Sequence, residues 1–149
     1  FAGKNDGYNC FACSPDNVIG LKLQFFANDS EFWSEWIPRP EFDGWKGVTH
    51  GGIQTTLMDE TAEWLIFTKH GRSAVTMELN SKYRKPLSSV NGPIKTTATE
   101  VSFNRNISEI KIAVYDSNGN LCTEGIGKFF VFSEKDSKEK YNFPDITEF

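Results

Sequence analysis

Cysteine and histidine are scarce in this chain, with three of one and two of the other among 149 residues. Cys10, Cys13 and Cys122 are too few and too unevenly spaced for the disulfide framework of a small secreted domain, which points to a reducing compartment and, by default, the cytoplasm. Cys10 and Cys13 form a C-x-x-C pair, the pattern of half a zinc site or of a redox pair. A closed site takes four ligands, and the other good donors, Cys122, His50 and His70, stand at none of the usual spacings. No metal is therefore expected; no organic cofactor is expected either. Positive charge is not in excess either: 16 Lys and Arg against 20 Asp and Glu give a net charge of −4, so no uniform basic face is available to follow a phosphate backbone. Nucleic acid is not expected as a partner on these grounds. No apolar run approaches the ~20 residues that cross a bilayer, and the charged start, which begins at Phe1, has no long apolar stretch of the signal-peptide kind. No membrane association is expected, and the chain reads as soluble. Internal repeats, linkers and low-complexity stretches are also absent, so residues 1–149 are expected to form one domain, with 1–19 as an N-terminal segment and 134–149 as a charged tail on the surface or partly ordered.

What the chain does have is aromatic content and clear periodicity. A domain of this length hides roughly 70% of the surface its unfolded form exposes, enough for a core without cross-links. Gly20 to Ala27 and Phe32 to Ile37 are aromatic-rich stretches separated by the polar turn Asn28-Asp29-Ser30-Glu31, the pattern of a hairpin. Pro38 and Pro40 stop the second strand, and Asp43-Gly44-Trp45-Lys46-Gly47 leads into His50. From Gly51 to Thr68, Ile53, Leu57, Trp64 and Phe67 recur near one face at ~100° per residue, which predicts a helix of about five turns. Gly71 supplies its left-handed cap. Four strands are predicted after it: Ser73 to Lys85, Ile94 to Phe103, Ile107 to Asp116 and Leu121 to Ser133, the last two joined at Asn118-Gly119 by a type I′ turn. Two strands, one long helix and four more strands suit an α+β fold in which an antiparallel sheet wraps a central helix. Its open edges invite pairing with a second copy.

Gly51 and Gly52 carry no side chains, so an acyl carbonyl can approach the first free N–H groups of the helix, where the positive pole favours a developing oxyanion. The bland alternative is a tight loop. Asp59 lies seven residues beyond Gly52, roughly 10 Å along the axis. That is too far to place an attacking water beside its own helix N-terminus, so a carboxylate base belongs to another subunit. Glu60 lies nearer the apolar stripe than Asp59 does, and burial alone nominates it as the acid with a raised pKa. His50 has three available roles: positioning substrate, donating within the loop, or capping the helix.

Gly44, Gly47, His50-Gly51-Gly52 and Asp59-Glu60, with Asn9-Cys10-Phe11-Ala12-Cys13, Asp16-Asn17 and Gly20-Leu21 upstream, resemble the hotdog-fold thioesterases of the phenylacetate-degradation type. With the strand from Ala74 to Pro86, the resemblance extends to about Phe132. It implies a hotdog fold and hydrolysis of an acyl-CoA or related thioester to acid and free thiol. It also implies an active site between the two protomers of a homodimer, with tetramers common among relatives. By the same carry-over Asp59, nine residues after His50, is the general base or nucleophile, ahead of Glu60, and Thr76 matches a hydroxyl position that helps hold water or substrate. The paired cysteines become a packing feature of the N-terminal segment. Lys82, Arg84 and Lys85 are the densest cationic cluster and candidates for the phosphates of coenzyme A, unless they are simply a solvated strand edge, and Arg72 and Arg105 are equal candidates. Trp33, Trp36, Trp45 and Trp64 are available to an apolar acyl pocket or to the core. Two other readings remain: an enoyl-thioester hydratase or dehydratase, and a non-catalytic acyl-CoA-binding module.

Overall fold

Asn28 turns the first aromatic stretch back on itself, its Oδ1 accepting from the backbone N–H groups of Ser30 and Glu31 at 2.9 and 2.8 Å. In the computed structural model, which describes residues 8–141, this turn joins β1 (Gln24–Ala27) to β2 (Phe32–Trp36). A 3₁₀ turn (Pro40–Phe42) and a short hairpin of β3 (Asp43–Trp45) and β4 (Val48–Thr49) lead into α1 (Gly51–His70). Strands β5 (Ala74–Tyr83), β6 (Ile94–Asn104), β7 (Ile107–Tyr115) and β8 (Leu121–Val131) follow, then α2 (Glu134–Tyr141). Six strands form one antiparallel sheet in the order β1-β2-β6-β7-β8-β5, with α1 packed on it. The α+β arrangement is the one expected, and Gly71 caps α1 with φ 64° as predicted.

Four local expectations are corrected. The first strand begins at Gln24 rather than Gly20, because residues 20–23 bond to the N-terminal segment: Leu21 N–H donates to Phe11 O and Leu23 N–H to Ala12 O, and both leucines are buried. The buried face of α1 is centred on Gln54, Leu57, Met58, Thr61, Ala62 and Ile66, while Ile53 and Trp64 are only partly buried beside it. An apolar pattern cannot reveal that centre, because two of its members are polar. Gln54 and Thr61 are tolerated there because they are hydrogen-bonded. Gln54 Nε2 donates to Thr49 O at 3.0 Å and its Oε1 accepts from Thr123, while Thr61 Oγ1 donates to Leu57 O and lies 2.6 Å from Ser34 Oγ.

The third correction concerns the turns. Only Gly119 has positive φ between β7 and β8, and Asp116 organises that loop by accepting from the N–H groups of Asn118 and Asn120. The two-residue turn with both φ angles positive lies instead between β6 and β7, at Arg105 (51°) and Asn106 (63°), a geometry that matches strand twist. Finally, Glu134 to Tyr141 forms helix α2, anchored through Ser137 Oγ, which accepts from Ser73 N–H at 3.0 Å; Pro144 lies outside the described residues.

Among the described residues no helix is long and apolar enough to cross a membrane. One edge of the sheet is the ten-residue strand β5, which carries exposed Val75, Met77 and Tyr83.

Candidate active site

The β3–β4 hairpin delivers His50 to the start of α1, with His50 N–H bonded to Phe42 O at 2.9 Å. His50 is the N-cap: its Nδ1 accepts from Gly52 N–H at 2.9 Å, the third of the roles open to it in the sequence. The Gly52 donor therefore already has a partner, the exposed imidazole. Any side chain at Gly52 would place its Cβ 3.1 Å from that nitrogen, and at Gly51 it would stand 3.4 Å from the Tyr83 ring. Tyr83 was not singled out by sequence. From β5 its hydroxyl donates to Gly51 O at 2.9 Å and lies 2.8 Å from Thr55 Oγ1, fixing the first turn of α1 to the edge strand.

Two turns along, Thr76 of β5 donates its hydroxyl to Asp59 Oδ1 at 2.6 Å. Burial raises the Asp59 carboxyl above its ordinary range, and the Thr76 hydrogen bond partly offsets that rise. Glu63, one turn further on the same face, has its Oε1 3.4 Å from Thr76 Oγ1. Its carboxyl is pushed up to about 8, first by burial and then by the neighbouring charges of Asp59 and Glu60. Sequence reasoning missed Glu63; its four-residue spacing from Asp59 was the available signal. Two carboxyls and a hydroxyl thus meet beside an edge strand, an arrangement suited to moving a proton.

Residues 46–123 match a family model described as the thioesterase superfamily. The chain belongs to that superfamily. It is 28% identical over 93 residues to the Saccharolobus solfataricus protein named "Putative esterase SSO1253", covering 62% of this chain and 61% of the relative. The chain thus spans about three-fifths of the length of the curated relatives it matches. A crystal structure of the Bacillus halodurans protein BH2602 with CoA is 27% identical, with a TM-score of 0.66 over 75% of this chain and 72% of that one. The Haemophilus influenzae thioesterase HI1161, 21% identical, shares the fold at a TM-score of 0.66, covering 81% and 85% of the two chains. The six-stranded sheet on its central helix is the hotdog fold of this superfamily.

The remaining candidate residues of this thioesterase-superfamily chain lie apart from Asp59. Glu60 points to the other flank of α1, where its Oε1 accepts from Trp64 Nε1 at 3.0 Å and lies 3.4 Å from Cys10 Sγ. Burial raises its carboxyl to about 7. Lys82 lies on the sheet face turned away from α1, in a shallow groove with Glu78, Glu109, Lys111 and Glu124. Arg84 pairs with Glu124 at 3.1 Å. Lys85 follows β5, its N–H bonded to Cys122 O. The structure therefore does not gather these three cations beside Asp59. Of the tryptophans, Trp36 is in the core, Trp45 is exposed, Trp33 stacks on Phe26 and Trp64 stacks on Phe25.

Proposed function

We propose that the chain hydrolyses acyl-CoA or a related thioester, in a site shared by two protomers: the start of α1 in one and Asp59 with Thr76 in the other. The observation that carries this reading is the Asp59–Thr76 pair at 2.6 Å. One carboxylate oxygen is held by the hydroxyl, which leaves the other to accept a proton from water. The resulting hydroxide attacks the thioester carbon, and the carbonyl electron pair moves onto oxygen. Collapse of that oxyanion breaks the C–S bond, and the departing sulfur takes the proton back from Asp59.

The oxyanion needs N–H donors. An acyl oxygen engaging Gly52 N–H replaces the His50 imidazole, one acceptor for another, and the absence of a side chain at Gly51 lets the Tyr83 ring sit against this turn. Gly52 and Asp59 of one chain are roughly 10 Å apart along the helix, which supports a two-chain site. The β5 edge, with Val75, Met77 and Tyr83 exposed, is the surface suited to pairing with its copy. The CoA held by the Bacillus halodurans structure supports CoA as the thiol carrier.

Thiol release from a panel of aliphatic and aromatic acyl-CoAs tests the reading, with Asp59→Asn beside the wild type. The variant is expected to lose about 10²- to 10⁴-fold in rate, the range of a positioned general base. Undiminished release in Asp59→Asn would overturn the assignment. Water addition to an enoyl thioester without thiol release would favour the hydratase reading instead. Mixing Asp59→Asn subunits with subunits blocked at Gly52 tests the shared site, and activity is expected to return in the heterodimers.

A further inference from the structure

The N-terminal C-x-x-C closes into a turn in which Cys10 Sγ accepts from the backbone N–H groups of Ala12 and Cys13, at 3.3 and 3.4 Å, while Ser14 N–H donates to Cys10 O. Backbone donors aimed at sulfur favour the thiolate, the form that binds metal. From α1, Glu60 brings a carboxylate oxygen to 3.4 Å from Cys10 Sγ. Ligand atoms of Cys10, Cys13 and Glu60 all lie within 4.8 Å of one another, and no other such group occurs among the described residues. Zn–S bonds of about 2.3 Å and Zn–O bonds of about 2.0–2.2 Å at a tetrahedral angle put sulfur and oxygen roughly 3.5 Å apart. The Cys10–Glu60 distance already matches that spacing. The sequence concealed the third ligand because Glu60 is fifty residues away from Cys10.

We propose that Cys10, Cys13 and Glu60 form a binding site for a thiolate-preferring divalent cation, zinc by its ligand chemistry. The Tyr8 hydroxyl lies 2.6 Å from Cys13 Sγ, and three protein ligands would leave the fourth position of a tetrahedral ion to water. Binding releases the thiol protons to water and ties the N-terminal segment to α1, one residue from Asp59. The site is independent of the hydrolase reading, since none of its ligands is assigned to the reaction.

Metal content and cobalt substitution of the whole chain test it. Wild-type protein is expected to take up one equivalent of Zn²⁺, and Co²⁺ in its place is expected to give a thiolate-to-cobalt charge-transfer band with the intense visible bands of a tetrahedral ion. Cys10→Ser should lose both the band and the zinc, Glu60→Gln should weaken the uptake, and Cys122→Ser should change neither. Wild-type protein that takes up no zinc at micromolar free metal, or cobalt spectra without a thiolate band, would overturn the site without reference to any variant. Unchanged uptake in Cys10→Ser would do the same.

Discussion

Asp59 and Glu60 are neighbours in sequence with unlike surroundings. One helical step, about 100°, turns their carboxylates onto opposite flanks of α1. Asp59 faces the edge strand β5, where the Thr76 hydroxyl donates to it and also lies 3.4 Å from a second acid, Glu63. Glu60 faces the N-terminal segment, with the indole of Trp64 and the sulfur of Cys10 as partners. Burial raises both carboxyls. A raised carboxyl alone therefore does not say which acid works on substrate; the partners do. Oxygen donors beside an edge suit proton transfer, whereas sulfur under a covering segment suits metal.

The largest effect that separates the flanks, after Asp59→Asn itself, is expected at Thr76. Thr76→Val removes a hydrogen bond to a charged group, and a loss of about 1.5–3 kcal/mol corresponds to about ten- to a hundredfold in kcat. The pH profile adds a second readout. Thr76 holds the Asp59 pKa down against burial, so without the hydroxyl that pKa rises and the acidic limb of the rate profile moves to higher pH. A variant slowed without that shift would make Thr76 a packing residue only.

Much of the fold was legible because periodicity and turn chemistry act locally. Six strands, one long helix and the Gly71 cap all follow from alternation, 3.6-residue spacing and a glycine with positive φ. What escaped was set by partners distant in sequence. Gln54 and Thr61 sit at the centre of the buried helix face because Thr49, Thr123 and Ser34 satisfy them, and nothing in the helix announces those bonds. At the candidate site, Asp59, His50, the glycines and Thr76 are singled out by a family resemblance. Tyr83 and Glu63 are not, because their significance comes from facing Gly51 and Thr76 across the gap between helix and strand. The separation of Glu60 from Asp59 is of the same kind, since only the folded N-terminal segment gives Glu60 its sulfur neighbours.

Within the Asp59 flank, Glu63 is expected to limit stability. Its folded carboxyl is raised to about 8 from an ordinary 4.5, so the folded state binds more protons than the unfolded chain between those values. The contribution of this group is fully present below pH 4.5 and is lost as pH rises through about 8. Glu63→Gln removes that loss. Thermal unfolding at fixed protein concentration should give the variant a Tm a few degrees above wild type at pH 8, with the gap closing toward pH 4.5. A gap that did not vary with pH would mean that Glu63 is not charged against a buried background.

The smallest expected effect comes from a buried acid held by a lysine, a histidine ring nitrogen and a hydroxyl. Glu100 of β6 receives Lys69 Nζ at 2.8 Å, His70 Nε2 at 2.7 Å and Ser108 Oγ at 2.8 Å, under the last turn of α1. Burial pushes its carboxyl up, but the hydrogen bonds from Lys69, His70 and Ser108 outweigh it, and the result lies below the ordinary 4.5. The sign is therefore opposite to that of Glu63. Its stabilisation is present above pH 4.5 and disappears as pH falls through the lowered folded value. Glu100→Gln should accordingly lower Tm above pH 4.5 and approach wild type in acid, whereas Glu63→Gln should diverge from wild type as pH rises. The amount should be modest, because Lys69 is half exposed and water already screens it. Parallel pH trends in the two variants would show that the partners do not set the behaviour of the acids around this helix.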